Sequence, residues 1–446
     1  MKMNKRQFLK SAAALSSLTL LPGCDWETSD QKRLRTAHIG VGNMGGEDLK
    51  AISSHEMVDV VALCDVDSNN LSAAAKLHPK AKRFTDYRDL FKEMKDQIDA
   101  VIVSTPDHTH APASMMAMNH DKPVYCQKPL THHVTEARAM NQLAADKNLV
   151  TQMGIQVHSF YDYKLATLLI QSGIIGKVST VRAWSPKNWG YDGPEPEGSD
   201  PNPEHLDWNL WLGTSKERPF KKDVYHPGNW RKLLDYGCGT LGDMGVHIFD
   251  TPYNALALDV PLTITNNCRP PTGFGYPEAN TVTYEFPQTQ YTTETLKWVW
   301  YDGPSAPEMH SDLELPDGAT LPDQGAMFMG EKGKLLLPHF MELPRLIVDG
   351  AYVELDQDLI DSFQLGIPIR DYEVEGNMHY HQFVDACLGK ATTTAPFSYS
   401  AKLTETILLG VIAGRFPNET LHWDSQKAKF SELKANTYLD GSYRTF

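Results

Sequence analysis

Cysteine is scarce in this 446-residue chain, with six residues and no CxxC spacing, so neither a zinc site nor a dense disulfide framework is indicated. Beyond the first 24 residues no apolar run approaches the length needed to cross a bilayer. Positive charge is also short: 42 Lys and Arg against 56 Asp and Glu leave a net charge of −14, which argues against nucleic acid as a partner. No internal repeat is present. What the chain does have is 41% hydrophobic residues over a length that favours two or three domains.

Residues 1–23 read as an export signal. Lys2, Lys5, Arg6 and Lys10 form a basic segment ahead of the apolar run Ser11 to Leu21, which is too short to span a membrane. "NKRQFLK" resembles a twin-arginine signal with Lys5 in place of its first arginine, and "LPGC" resembles a lipoprotein cleavage box. The expectation is a protein exported by the Tat route, periplasmic or tethered by lipid on Cys24, touching membrane only through that anchor. The alternative is an ordinary cleaved signal with a chance cysteine. Cleavage before Cys24 removes four positive charges and leaves 423 residues with a net charge of −18. Of the remaining cysteines, Cys64 and Cys126 fall at strand ends as small buried hydrophobes, and one bridge in an oxidising compartment stays open.

Thr36 to Val41 reads as a strand, followed by Gly40-x-Gly42-x-x-Gly45 and a helix from near Glu47. In a dinucleotide-binding turn Gly40 permits the tight bend, Gly42 lets the backbone approach a pyrophosphate, and Gly45 allows helix and strand to pack closely. Asn43 and Met44 lie in the same turn, and the helix N-terminus offers N–H groups to phosphate. Val58 to Cys64 is a second strand, and Asp65 follows it twenty residues beyond Gly45, placed to accept hydrogen bonds from both ribose hydroxyls. A carboxylate there repels a 2′-phosphate, which favours NAD over NADP; the alternative is a loop acid that caps the next helix. Ala100 to Ser104 is a buried strand whose carboxyl end runs into "TPDHTHA", so Thr105, Pro106, His108 and His110 line the cofactor crevice or cap a helix. No acidic or cysteine partner completes a metal set with the histidines, and no metal is expected. A strand Pro123 to Cys126, the tripeptide Gln127-Lys128-Pro129, a helix from Thr131 and a strand Val150 to Ile155 complete a doubly wound parallel sheet.

"GVGNMG", "CDVD", "STPDHTHA", "CQKPLTHHVTEA" and "GTLGDMGVHIFD" occur in one order along residues 35–415, and together they resemble the Gfo/Idh/MocA oxidoreductase family. The resemblance implies an α/β fold: an N-terminal Rossmann domain over residues 35–156, after a linker at 24–34, and a C-terminal α/β domain with a large open, mostly antiparallel sheet over residues 157–446. It also implies Lys128 as hydrogen-bond donor and proton-transfer partner at the reacting hydroxyl, although the family has glutamate where this chain has Gln127. Asp243 and His247 stand four residues apart on what reads as one helix, so both side chains share a face. Spacing alone fits a capping aspartate and a packed histidine. The resemblance instead implies that His247 is general base or its partner and that Asp243 binds a substrate hydroxyl. By the same analogy Gln156 faces the cofactor and His158 the substrate cleft.

In the second half a helix Phe160 to Ser172 and a strand Val178 to Trp184 precede an insertion, Ser185 to Gly237, rich in Pro, Gly, Asp and Trp. Loops this long are usually functional or oligomeric. Trp230 and Arg231 are its candidate sugar contacts, while Trp211 reads as buried against the fold. Further strands (Asn280 to Phe286, Thr293 to Tyr301, Lys334 to Leu336) and two helices (Met378 to Leu388, Ala401 to Arg415) follow. Three functions fit. The first is an NAD-dependent oxidoreductase acting on a sugar, polyol or glycoside hydroxyl with tightly held cofactor. The second is a redox-neutral glycoside hydrolase that oxidises transiently and eliminates. The third is a non-catalytic sugar-binding lipoprotein. An open sheet face favours a homo-oligomer, dimer or tetramer.

Overall fold

The structure, a computed structural model, describes residues 33–446; Cys24 and the segment expected to be an export signal lie outside them. Leu34–Phe446 form one compact unit built on two sheets.

The first sheet has six parallel strands: β1 (Leu34–Ile39), β2 (Val58–Cys64), β3 (Lys82–Phe84), β4 (Ala100–Val103), β5 (Val124–Cys126) and β6 (Thr151–Met153). Their order is β3-β2-β1-β4-β5-β6, the doubly wound arrangement expected from strands alternating with helices. All four residues of β4 are buried, as a strand covered on both faces requires. The helix after β1 begins at Met44 rather than near Glu47, so Gly45 and Gly46 form its first turn.

The second sheet has ten strands: β7 (Val178–Ser185), β8 (Thr263–Asn267), β9 (Asn280–Pro287), β10 (Thr292–Asp302), β11 (Gly325–Gly330), β12 (Gly333–Pro338), β13 (Arg345–Val348), β14 (Ala351–Val353), β15 (Thr420–Asp424) and β16 (Lys429–Phe430). The order is β14-β13-β12-β11-β7-β10-β9-β8-β15-β16, antiparallel throughout except where β7 meets β10. Val282, Tyr284 and Phe286 alternate along β9 and turn inward with Leu296, Trp298 and Trp300 of β10. Phe249, on the helix Val246–Ala255, stacks on Trp298 at 4.2 Å between ring centres and covers that face.

Two late helices finish the first sheet. Tyr372–Cys387 begins earlier than its apolar stretch implied, and its Tyr380, Phe383 and Val384 pack with Ile52, Ile102 and Tyr125. Phe397–Ala413 lies along Val134–Asp146, joined to it by the Arg138–Glu405 ion pair at 2.6 Å. The insertion between β7 and the helix Val246–Ala255 has its own core, in which Trp208 stacks on Trp211 at 4.8 Å beside Phe220, Tyr225 and Tyr236. Cys64, Cys126, Cys238, Cys268 and Cys387 are all free thiols. Among the described residues no helix is long and apolar enough to cross a membrane.

Candidate active site

The carboxyl ends of β1, β2 and β4 meet at the glycine turn. Gly40 sits at φ +81°, and a Cβ there would lie 2.6 Å from the Ser104 carbonyl oxygen. Gly45 approaches more closely still: its Cβ would stand 2.2 Å from the Gly40 carbonyl oxygen, so no larger residue lets the helix seat on the turn. At Gly42 the side chain of Asn70 closes over the backbone. Gly40, Gly42, Asn43, Met44 and Asp65 line a cavity of about 330 Å³, and Thr105, Pro106, His110, Gln127 and Lys128 line it as well. Asp65 accepts the Val41 N–H through Oδ2 at 2.9 Å and the Asp67 N–H through Oδ1 at 2.8 Å. Burial raises its pKa against those two bonds and one from the Asn70 side chain, and the carboxylate keeps a lone pair for a further donor. A turn that only glycine tolerates, a helix N-terminus and this carboxylate fit a dinucleotide.

At the far end of the cavity Lys128 Nζ donates to Asp243 Oδ1 at 3.0 Å and to the Asp243 carbonyl at 2.9 Å. Arg231 Nε reaches the same Oδ1 at 3.2 Å, while its guanidinium stacks on Trp230 at 4.3 Å. Burial alone would raise the Asp243 pKa, but the charges of Lys128 and Arg231 outweigh it and hold the carboxylate well below its usual range. Asp243 therefore stays ionised and fixes the ammonium. His247 follows on the next turn; burial, then the Lys128 charge, push its imidazole well below the ordinary value. Its Nδ1 is buried and has no hydrogen-bond partner. The helix expected to carry both residues opens with a π turn, Leu241–Gly245, before the α-helix Val246–Ala255.

Two expectations are corrected. His108 turns away from the cavity: its Nε2 lies 3.0 Å from the Trp211 carbonyl oxygen and its ring packs on Tyr236. Gln156 is not at the cavity either, because its amide donates to the Tyr380 hydroxyl at 2.9 Å within a buried network. His110 lines the cavity but is held by backbone, with ring nitrogens 2.8 Å from the carbonyl oxygens of Pro129 and Thr105, so its role is to fix the loop. His158 pairs with Asp250 at 2.9 Å, and the Tyr399 hydroxyl donates to the same carboxylate. Trp230 lines the cavity but is buried, with Arg231 across its face. Among the described residues no group of three or more His, Cys, Asp or Glu is placed to hold a metal.

Two carboxylates escaped the sequence reading. Asp107, immediately before His108 in its loop, lines the cavity, and burial pushes its pKa up to about 7 although Arg231 and Lys128 pull it down. Asp48, fully buried on the helix after the glycine turn, accepts from Ser104, Tyr380 and Gln127, and burial raises it to about 6. Gln127 Nε2 lies 3.0 Å from both Asp48 oxygens, and its Oε1 accepts the Lys128 N–H at 3.1 Å. Neither acid has a spacing signal, since burial is a property of the fold.

A family model described as "Oxidoreductase family, NAD-binding Rossmann fold" matches residues 34–155, and one described as "Oxidoreductase family, C-terminal alpha/beta domain" matches residues 163–269. An inositol 2-dehydrogenase of Rubrobacter xylanophilus is 29% identical over 160 residues, 35% of this chain and 44% of that protein. A glycosyl hydrolase family 109 protein of Shewanella pealeana is 27% identical over 204 residues, 40% of this chain and 45% of that protein. The chain thus spans less than half the length of these curated relatives. An inositol dehydrogenase homologue of Azotobacter vinelandii, solved with NADH and myo-inositol, superposes with a TM-score of 0.61 at 15% identity, covering 88% of this chain and 98% of that one. At that identity the likeness shows the fold.

Proposed function

The chain belongs to the Gfo/Idh/MocA oxidoreductase family, and we propose that it oxidises a hydroxyl-bearing carbon of a sugar, polyol or glycoside with NAD held in the glycine-lined cavity. One observation carries this reading: Lys128 Nζ, fixed on Asp243 at 3.0 Å, lines the cavity that the glycine turn and Asp65 also line. Bound NAD supplies the hydride acceptor. The chain's own residues handle the rest. Asp65 takes the ribose hydroxyls and disfavours a 2′-phosphate. Lys128 donates to the substrate oxygen and stabilises the charge that grows there as the proton leaves. His247, neutral and with a free Nδ1, accepts that proton, and Arg231 binds a neighbouring hydroxyl. Lys128→Met is expected to lower turnover of the oxidised sugar by about 10²–10⁴-fold, the usual weight of a positioned proton-transfer group, while bound NAD measured after denaturation stays unchanged. Unchanged turnover would leave the third reading, a sugar-binding protein without catalysis.

The likeness to a glycosyl hydrolase family 109 protein favours a second reading, in which NAD is reduced and reoxidised within one cycle of glycoside cleavage. Glycoside cleavage with no accumulation of NADH separates it from net oxidation. We also propose Tat export and lipidation of Cys24, supported by "NKRQFLK" and "LPGC", with a periplasmic or tethered product; Cys24→Ala is expected to move the protein from the membrane to the soluble fraction. A homo-oligomer, dimer or tetramer, is the proposed assembly, to be read as mass in solution.

A further inference from the structure

The insertion of the second lobe forms part of the cofactor cavity's wall. Trp211, His226, Pro227 and Gly228 line it together with Asp65, Val66 and Asn70. This wall is not a loose loop: it stands on the aromatic core of Trp208, Trp211, Phe220 and Tyr225, and Val66 from the loop after β2 packs against that core.

It is also fastened at one point. Asp67 stands two residues after Asp65, and its Oδ1 and Oδ2 meet His205 Nδ1 at 3.1 Å and His226 Nε2 at 2.9 Å. Backbone bonds flank the pair: Ser68 N–H donates to the His205 carbonyl at 2.8 Å, and Asp207 N–H to the Val66 carbonyl at 3.0 Å. Asp67 is buried, which alone would raise its pKa, but the Asn69 N–H and the two imidazoles outweigh burial and keep it ionised. The loop that presents Asp65 to a ribose is thus the loop to which the covering wall is tied.

We propose that residues 205–231 are a latch across the dinucleotide cavity, and that Asp67 is the positioning residue that closes it through His205 and His226, making NAD a slowly released group. This rests on the NAD reading above. Asp67 also caps the helix Ser68–Leu77 by accepting the Asn69 N–H at 2.9 Å, so the informative variant is Asp67→Ser. Serine keeps a cap but is too short to hold both imidazoles. His205→Ala is the second variant, since His205 does not line the cavity. The full-length protein, its two variants and NADH as probe are compared by displacement of bound NADH with excess NAD, followed by fluorescence, alongside thermal midpoints without nucleotide. The latch requires NADH release at least tenfold faster in both variants, with midpoints close to the parent's. Release at the parent's rate in both variants overturns the latch and leaves the NAD reading standing. A parent that neither contains nor binds the nucleotide overturns the NAD reading, and the latch with it.

Discussion

Gln127 and Asp48 stand 79 residues apart in sequence and 3.0 Å apart in the fold, and an amide at 127, where the family resemblance implies glutamate, can donate to that buried carboxylate. A carboxylate at 127 would face the buried Asp48 carboxylate. Gln127→Glu is expected to destabilise by about 1–3 kcal/mol, the cost of an unsatisfied buried group, with the larger loss at high pH; Asp48→Asn in the same chain is expected to recover most of it in denaturant melts. Asp107 makes a pH prediction. Folded, it keeps its proton to about pH 7, and its ordinary pKa is 3.8. Between those values the folded state binds more protons than the unfolded, so its contribution to stability falls as pH rises through that window. Asp107→Asn is expected to flatten that part of the curve of thermal midpoint against pH. The departure at Gln127 was legible in the sequence. Its partner was not, because nothing in local spacing brings residue 48 to residue 127.

The glycine turn was legible because its requirements are local: three glycines at fixed spacing after an apolar strand. The turn packs so closely that Gly45→Ala is expected to cost about 1–3 kcal/mol through overpacking and to lose nucleotide content in the purified protein, measured by absorbance. The π turn Leu241–Gly245 left no such trace. Its sequence carries the same apolar periodicity as a plain helix, and only packing selects the extra residue in the turn. Helix ends also moved where side chains outside the apolar pattern set them. Tyr372–Cys387 starts after Asp371, whose side chain accepts the Val374 N–H, six residues ahead of the stretch that looked helical.

Across the whole molecule the parallel sheet followed from strands alternating with helices, whereas the mostly antiparallel one followed from the family resemblance. How the two lobes share parts did not. His205 and Asp67 are 138 residues apart, and the helix Tyr372–Cys387 crosses back to the first sheet from the end of the chain. Residues 34–156 alone are therefore expected to lack cooperative unfolding, since Tyr125 and Ile102 lose the cover of Tyr380, Phe383 and Val384; a sloping calorimetric trace in place of a single peak would show it. The same borrowing orders events during synthesis. The last strand of the first sheet ends roughly 220 residues before that helix begins, which at about 5–20 residues per second is a delay of roughly ten to forty seconds. Until the ribosome has made nearly the whole polypeptide, the cradle has no finished back wall, so nucleotide capture reports a completed chain and prematurely terminated products stay empty.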